Sequence, residues 1–429
     1  MTPTTGNPGP IAKDFNLNKM ELTSATGGVL DLRFVFIEFN VYEQLFNNQI
    51  TCDILINDAR NMLMNFPVGK TQDGIFGFET LELSFETPNQ GVWEKQFRLI
   101  GITDRSLLKE RQMGYILHFV TPEAVLNMNT RVSKAYKGAL VSDIVDDLHN
   151  KWLGGGNIYI ETTKFQHHVV IPNLHPTHAI NWLCTRANSA SFEGANYLYY
   201  QDKNQFNFAS MESCLQKKSE QDYLFQVANV RRNTSDGYKP VTLTSDQVAA
   251  EKYTFDNFSN ILENMQAGMY GNQLITHSQV RKRWDHYEFN YPDSFDKYQH
   301  LYAENSLWSS GGLGSPINNS AARLKMHSDG PPDFLFRPEA WIPIRISQLQ
   351  QLQNIKLTLT IPGDSNRTVG QVVTFNLPSP EPPINNEQVN DKYYAGRFLV
   401  ASVRHKLDVD KYMTILELIK DSTLEPYPD

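Results

Sequence analysis

Hydrophobic and polar residues alternate with period two across residues 20–120, the signature of strands that turn successive side chains to opposite faces. Leu81, Leu83 and Phe85 share one face while Thr80, Glu82, Ser84 and Glu86 share the other. Trp93, Phe97 and Leu99 against Glu94, Gln96 and Arg98 repeat the pattern. Pro88-Asn89-Gln90-Gly91 between them is turn chemistry, so the two runs form a hairpin. Residues 29–42 differ: Val35, Ile37, Phe39 and Val41 lie on one face, and Leu30, Leu32, Phe34 and Phe36 on the other. A strand apolar on both faces needs cover on both sides. A closed barrel supplies one cover and a neighbouring subunit the second, which makes Phe34 and Phe36 candidate interface residues.

After Pro122 the period changes to about 3.6. Leu140, Val141, Ile144, Val145, Leu148 and Trp152 form a helical stripe, stopped by Gly154-Gly155-Gly156. A second helix starts near Pro176-Thr177 with Ala179, Ile180, Leu183, Cys184 and Ala187 inward. A hairpin follows over 197–200 and 205–209, around Asp202-Lys203-Asn204. A third helix is expected with Asp256 as its N-cap and Phe258, Ile261, Leu262 and Met265 on one face. Residues 306–333, with Gly311, Gly312, Gly314, Pro316, Pro331 and Pro332, read as a long loop or arm. Strand signal then returns at Ile355, Leu357, Leu359 and Ile361, and at Val373, Phe375 and Leu377. After a Pro-rich break two more strands follow, 396–407 and 412–420, joined by Asp408-Val409-Asp410.

At 429 residues the chain has length for roughly three domains. An aromatic share of 11% excludes disorder over most of it. The charged share is only 20%, so uncharged polar residues are in excess. A net charge of -8 excludes global attraction to nucleic acid or anionic lipid. Cys52, Cys184 and Cys214 are too few and too scattered for a disulfide framework, and are expected as buried thiols. The opening MTPTTGNPGP has no basic and apolar leader, and no run approaches 18 apolar residues, so a soluble protein made in a reducing compartment, with no membrane insertion, is expected.

Candidate chemistry is sparse. Pro67-Val68-Gly69-Lys70-Thr71 ends like a phosphate-binding loop but has Met64 where that loop needs its first glycine, and it reads as a turn. Gly311, Gly312 and Gly314 are not placed between a strand and a helix as a dinucleotide fingerprint requires. His167, His168, His175 and His178 are the metal candidates, but their spacing is not that of a zinc helix and no carboxylate or thiolate joins them; a structural role is preferred. There is no Gly-x-Ser-x-Gly elbow, and Asp146-Asp147 falls on a solvated helix face. Arg281-Lys282-Arg283-Trp284, with Tyr287, mixes cations and aromatics and suits a subunit or partner contact better than a phosphate grip. No catalytic residue and no cofactor is expected.

The most specific pattern is C-terminal. Ile361-Pro362-Gly363-Asp364 and Val369-Gly370-Gln371 place a turn before an entering strand, and Gly396-Arg397-Phe398 opens a strand pair that ends at Lys420-Asp421-Ser422. With 176–183, 196–208, 255–270 and 285–291 in the same order upstream, the chain resembles the baseplate hub proteins of contractile-tailed, T-even-like bacteriophages from about residue 16 to residue 422. Prophage tail hubs and the N-terminal part of type VI secretion spike proteins are related to these.

The resemblance implies an α+β, mainly β, fold with two antiparallel β-barrel tube domains and inserted α+β adapter material. Residues 1–15 would be a flexible segment, 16–122 the first barrel, and 123–225 the adapter. Residues 226–250 and 335–422 would form the second barrel, 251–334 an insertion of helix, long strand and arm, and 423–429 a tail. Gly363, Asp364, Gly370 and Gly396 would be structural turn residues of the second barrel. The implied function is structural: a homotrimeric ring joining a sixfold tail tube to a threefold central spike. The implied partners are itself, the central spike protein, the tail tube protein or a tube initiator, baseplate wedge proteins, and DNA passing through the lumen without sequence recognition. The implied location is the virion tail baseplate, after assembly in the host cytoplasm. Some relatives carry a fused wall-degrading domain, for which the residues after 422 leave no room. Two rival expectations are a cell-wall or metal-dependent hydrolase using His167 to His178, and a carbohydrate-binding receptor-recognition module.

Overall fold

The computed structural model describes residues 13–25, 27–59, 75, 77–88, 90–110, 112–225, 233–234, 237–238, 247–258, 260–278, 281–305, 323–328, 337–380 and 389–425. The turn at 67–71, the glycines at 311–314 and most of 306–333 lie outside the described residues.

The N-terminal region contains β1 (Asn16–Thr23), β2 (Val29–Asp31), β3 (Phe36–Gln44), β4 (Thr51–Asp58), β5 (Thr80–Glu86), β6 (Trp93–Lys109) and β7 (Gln112–Val120). They pair antiparallel in the order β3-β4-β7-β6-β5-β1-β2. The expected 80–99 hairpin is present, with Phe85 opposite Trp93 and the two rings stacked at 5.1 Å. Inward residues such as Met20, Val41, Ile54, Leu83, Trp93 and Leu117 build one core.

Residues 29–42 do not form one strand with two apolar faces. Asp31 caps a single 3-10 turn, Leu32–Phe34, by accepting a hydrogen bond from the Arg33 amide at 3.0 Å. The turn resets the alternation, so that Leu30 before it, Leu32 at its start and Phe39 and Val41 after it reach the same core. Phe34 is left 84% exposed, and a second cover is needed for that side chain rather than for a whole strand face.

The middle region contains α1 (Pro122–Asn129), β8 (Val132–Leu140), α2 (Val141–Trp152), β9 (Ile158–Ile160), β10 (Gln166–Leu174), α3 (Pro176–Cys184), β11 (Tyr197–Gln201), β12 (Phe206–Ser210) and α4 (Met211–Leu215). The α2 stripe packs as expected, except that Trp152 stays 36% exposed, and Gly154 takes the left-handed φ of +91° that ends the chain direction. Ile144, Leu148, Ile180, Leu183, Tyr197 and Phe208 belong to a second core.

The rest of the chain adds β13 (Ser219–Phe225), β14 (Asn233–Thr234), β15 (Gly237–Tyr238), β16 (Ala249–Ala250), β17 (Lys252–Phe258), β18 (Gly271–Ser278), β19 (Arg283–Asn290), β20 (Glu304–Asn305) and β21 (Arg323–Ser328). After them come β22 (Ile355–Pro362), β23 (Val372–Asn376), β24 (Gly396–Asp408), β25 (Tyr412–Lys420) and β26 (Ser422–Thr423). Asp256 is not a helix cap. It lies within β17, where Tyr253 and Phe255 alternate inward, and its carboxylate accepts from the Thr358 hydroxyl on β22. The helix begins later, at Ile261–Ala267, with the Asn260 side chain accepting from the Glu263 amide. Leu262 on that helix is 80% exposed, so the expected apolar face is not buried. Helix Ile342–Leu352 was not legible; Pro343 and three glutamines mask its period.

β24 connects the regions. One edge pairs with β23 near its start and with β3 over its second half, and the other edge pairs with β25. The mainly β, α+β class therefore holds, but fourteen strands from the N- and C-terminal regions share one sheet rather than two separate ones, beside five small sheets among the described residues. The sheet is also mixed, because β13 runs parallel to β23 and β16; long connections through other material make parallel neighbours available. A third core, with Tyr223, Leu357, Leu359, Phe375, Phe398 and Leu416, lies under its C-terminal strands.

Candidate functional site

Three strands run from the N-terminal core into the C-terminal core, and each carries a polar residue where the cores meet. On β3 the inward sequence is Val41, Glu43, then Leu45 just beyond the strand; Val41 belongs to the N-terminal core and Leu45 to the C-terminal one. On β24 it is Val403, His405, Leu407, and on β25 it is Tyr412, Thr414, Leu416. Glu43, His405 and Thr414 are all completely buried. A polar layer thus separates two hydrophobic cores that share their strands.

Glu43 accepts from Trp93 Nε1 at 3.0 Å and from the Thr368 hydroxyl, and the Val369 amide lies 3.4 Å away. Burial raises its carboxyl to about 7, against the lowering effect of those donors. His405 Nδ1 meets the Tyr412 hydroxyl at 2.7 Å, while Nε2 sits 3.9 Å from Glu43. Burial first, and the Lys203 charge second, push the imidazole down to about 3. Near neutral pH the imidazole is therefore uncharged, and the pair is a stack of polar groups rather than a salt bridge.

The loop at 363–371 packs against this layer and ties all regions to it. Ser365 Oγ donates to Gly91 O at 2.7 Å and the Ser365 amide to Thr87 Oγ1 at 3.1 Å, which grips the turn between β5 and β6. Lys203 Nζ, from the turn between β11 and β12, donates to Ser365 O at 3.0 Å. Asp364 accepts from the Tyr223 hydroxyl at 2.9 Å and pairs with Arg367 at 3.0 Å. The turn residues singled out in the sequence fall here: a Cβ on Gly363 would lie 2.1 Å from the Tyr412 ring, and one on Gly370, at φ +74°, 2.5 Å from the Tyr200 hydroxyl. Gly396 stands apart at the start of β24, against Tyr302.

The histidines serve different places. His167 is buried, with its imidazole lowered by burial and then by Arg186. His168 follows it on the same strand and so turns to the opposite face. His175 Nδ1 bonds to Asn127 O and Thr130 O at 3.0 and 2.9 Å, and His178 is exposed on α3. Among the described residues no three His, Cys, Asp or Glu side chains form a metal-holding group. No helix among them is long and apolar enough to cross a membrane.

Of the proposed contact residues, Arg281, Arg283 and Trp284 are exposed, Phe36 and Tyr287 half-buried. Trp284 stacks on His277 at 4.2 Å and Arg283 pairs with Asp285 at 2.9 Å. Phe34 and Phe36 sit in a different region, near β1 and the 3-10 turn. The polar layer itself escaped the sequence reading; its signal was a single polar residue at an inward position, in Val41-x-Glu43-x-Leu45 and again in Val403-x-His405-x-Leu407.

No family model matches the chain. Over 364 residues, spanning 81% of this chain and 82% of the relative, it is 23% identical to the "Probable baseplate hub protein" of Vibrio phage KVP40. The chain is a relative of the phage baseplate hub proteins. Solved tail proteins share the fold of this hub relative. The 43 kDa tail protein of prophage MuSo2 from Shewanella oneidensis superposes with a TM-score of 0.55 at 8% identity, over 94% of this chain and 98% of that one. The tail protein from Neisseria meningitidis MC58 gives 0.50 at 11% identity, over 94% and 96%.

Proposed function

We propose that the chain is a non-enzymatic structural subunit of a contractile phage tail, located in the virion baseplate. It forms a homotrimeric ring that joins the sixfold tail tube to the threefold central spike and encloses part of the DNA channel. The observation that carries this reading is the hub relative, matched over four-fifths of both chains. The two cores support it, because each subunit offers two β units and three subunits offer six. A tube-like second unit is supported by the neighbour series β13-β23-β24-β25-β22-β17, whose last member is separated from β16, a partner of β13, by Glu251 alone.

On this reading residues 16–122 are the first tube domain and 123–225 the adapter. Residues 226–250 and 335–422 form the second tube domain, joined by β13 from the end of the adapter and by β17, and the rest of 251–334 is its insertion. The partners are the spike, the tube protein or its initiator, and wedge proteins. DNA slides through unrecognised, as suits a subunit of net charge -8, since phosphate contacts from a basic lining would retain it. A permanent ring should bury more than about 2,000 Å² per interface.

Light scattering and negative-stain imaging of the purified chain test the proposal. The expected particle is a threefold ring of three times the 49.1 kDa chain mass. A monomer at high concentration, both alone and with the spike co-expressed, refutes it.

A further inference from the structure

The helix Ile342–Leu352 carries glutamines at 348, 350 and 351, and two of them lie inside the protein: Gln348 is 7% exposed and Gln351 1%. Three positions apart, these two share one helix face. That face borders a cavity of about 10 Å³, lined on its other sides by α4, by residues of the segment 291–300 and by Asp421 between β25 and β26.

Nearly every polar group on the cavity wall is already served. Glu212 accepts from the Gly194 amide at 2.8 Å and from the Gln299 amide at 3.2 Å. One Asp421 oxygen meets His300 Nδ1 at 2.7 Å, and the other accepts from the Leu301 amide at 3.2 Å and the Ser422 hydroxyl at 2.9 Å. His300 Nε2 meets Phe295 O at 3.0 Å, and Gln348 Oε1 accepts from Asn196 Nδ2 at 2.7 Å. Gln351 is different. Its Nε2 donates to Asp421 O at 2.8 Å, which fixes the orientation of the amide, while its Oε1 is enclosed without a hydrogen-bond partner among the described residues. A buried acceptor left unpaired forfeits the bond to solvent that it has in the unfolded chain, and such groups are paired in most folded proteins.

We infer that one firmly held water molecule occupies this cavity and donates to Gln351 Oε1. Size selects the occupant, since about 10 Å³ is close to the least that holds a single water, and a larger ligand does not fit. Chemistry selects it too, because a buried water needs two to four polar partners. A carboxylate oxygen of Glu212 or Asp421 can take its second proton. Tyr291 also lines the cavity, and burial first, then the Asp421 charge, keeps its hydroxyl protonated and able to donate to the water oxygen. A bridging water is nearly as good in enthalpy as a direct hydrogen bond. Here it joins four stretches that are remote in sequence: α4, the segment 291–300, the helix Ile342–Leu352 and the residue that follows β25. The site is internal to one chain and stands whether or not copies assemble into a ring.

High-resolution crystallography of the full chain tests it. The expected result is one solvent peak about 2.5–3.0 Å from Gln351 Oε1, and no peak there in Gln351→Met, whose thioether takes up the space. A wild-type cavity without a peak, a protein donor turned onto Gln351 Oε1, or a peak that persists in the variant overturns the inference. Melting temperatures give a second reading without crystals. Tyr291→Phe removes one hydroxyl, and the drop it causes should be larger in the native chain than in the Gln351→Met background, because two groups on one bridge do not contribute independently. Equal drops in the two backgrounds overturn the bridge.

Discussion

Replacing Glu43 by glutamine probes the layer between the two cores. In the native chain the Glu43 carboxyl is raised from 4.5 to about 7, and His405 is lowered from 6.5 to about 3. Between pH 4.5 and about 7 native Glu43 keeps a proton that the unfolded chain has released, so stability falls as pH rises through that window. His405 acts in the opposite sense: between about pH 3 and 6.5 the unfolded imidazole is charged and the native one is not, so stability climbs. At about 1.4 kcal/mol for each tenfold in proton affinity, the carboxyl limb is worth about 3 kcal/mol and the imidazole limb about 5. From pH 4.5 to 6.5 they cancel, with Asp202 and Lys95 as the nearby charges acting on Glu43 and Lys203 as the one acting on His405.

Glu43→Gln abolishes the falling limb. Its amide oxygen can still accept from Trp93, and the Thr368 hydroxyl can turn to accept from the amide nitrogen. The stability of the variant relative to wild type should therefore grow by about 3 kcal/mol between pH 4.5 and pH 8. Urea denaturation at the two pH values measures this. A relative stability that is the same at both refutes a raised Glu43 and, with it, the account of Glu43 as a carboxyl that stays protonated up to about pH 7 beside an uncharged imidazole.

Gly363→Ala should lower the melting temperature, because the new Cβ would overlap the fully buried Tyr412 ring; overpacking of this kind costs about 1–3 kcal/mol. His300 and Asp421 meet at 2.7 Å with both side chains buried, and despite the opposing effect of burial the hydrogen bond and charge of Asp421 hold the imidazole above its ordinary value. A raised histidine stabilises fully below pH 6.5 and loses that contribution as pH rises past its native value. Asp421→Asn should then cost more at pH 6 than at pH 9 in thermal melts, and an equal cost at both would exclude a charged pair.

Much of the β architecture was legible. The 80–99 hairpin and β22 alternate with turn residues at their ends, and the β24–β25 pair alternates from Val403 to Leu407 and from Tyr412 to Leu416 around its short turn, so period and boundary agree there. The misreadings arose where a local hydrogen bond overrode the pattern. Asp31 caps a turn that interrupts a segment rich in apolar residues on both faces, and Asn260 rather than Asp256 caps the following helix because Tyr253 and Phe255 are held in a ladder. The junction was the least legible part. Glu43 and His405 are 362 positions apart in sequence, and only the β3–β24 pairing brings them together. Of the predicted turn residues, Gly363, Asp364 and Gly370 do meet at that junction, whereas the histidines and the basic-aromatic cluster remain separate.

The β3–β24 ladder also decides how the molecule bears load. Seven residue pairs, from Ser402 opposite Gln44 to Asp408 opposite Glu38, join strands that each extend into the neighbouring core. A pull along those strands that draws the cores apart loads the ladder in shear, with all of its hydrogen bonds strained together, instead of peeling them one after another. The junction should therefore yield abruptly and at high force, and a subunit built this way passes axial stress along its backbone with little bending.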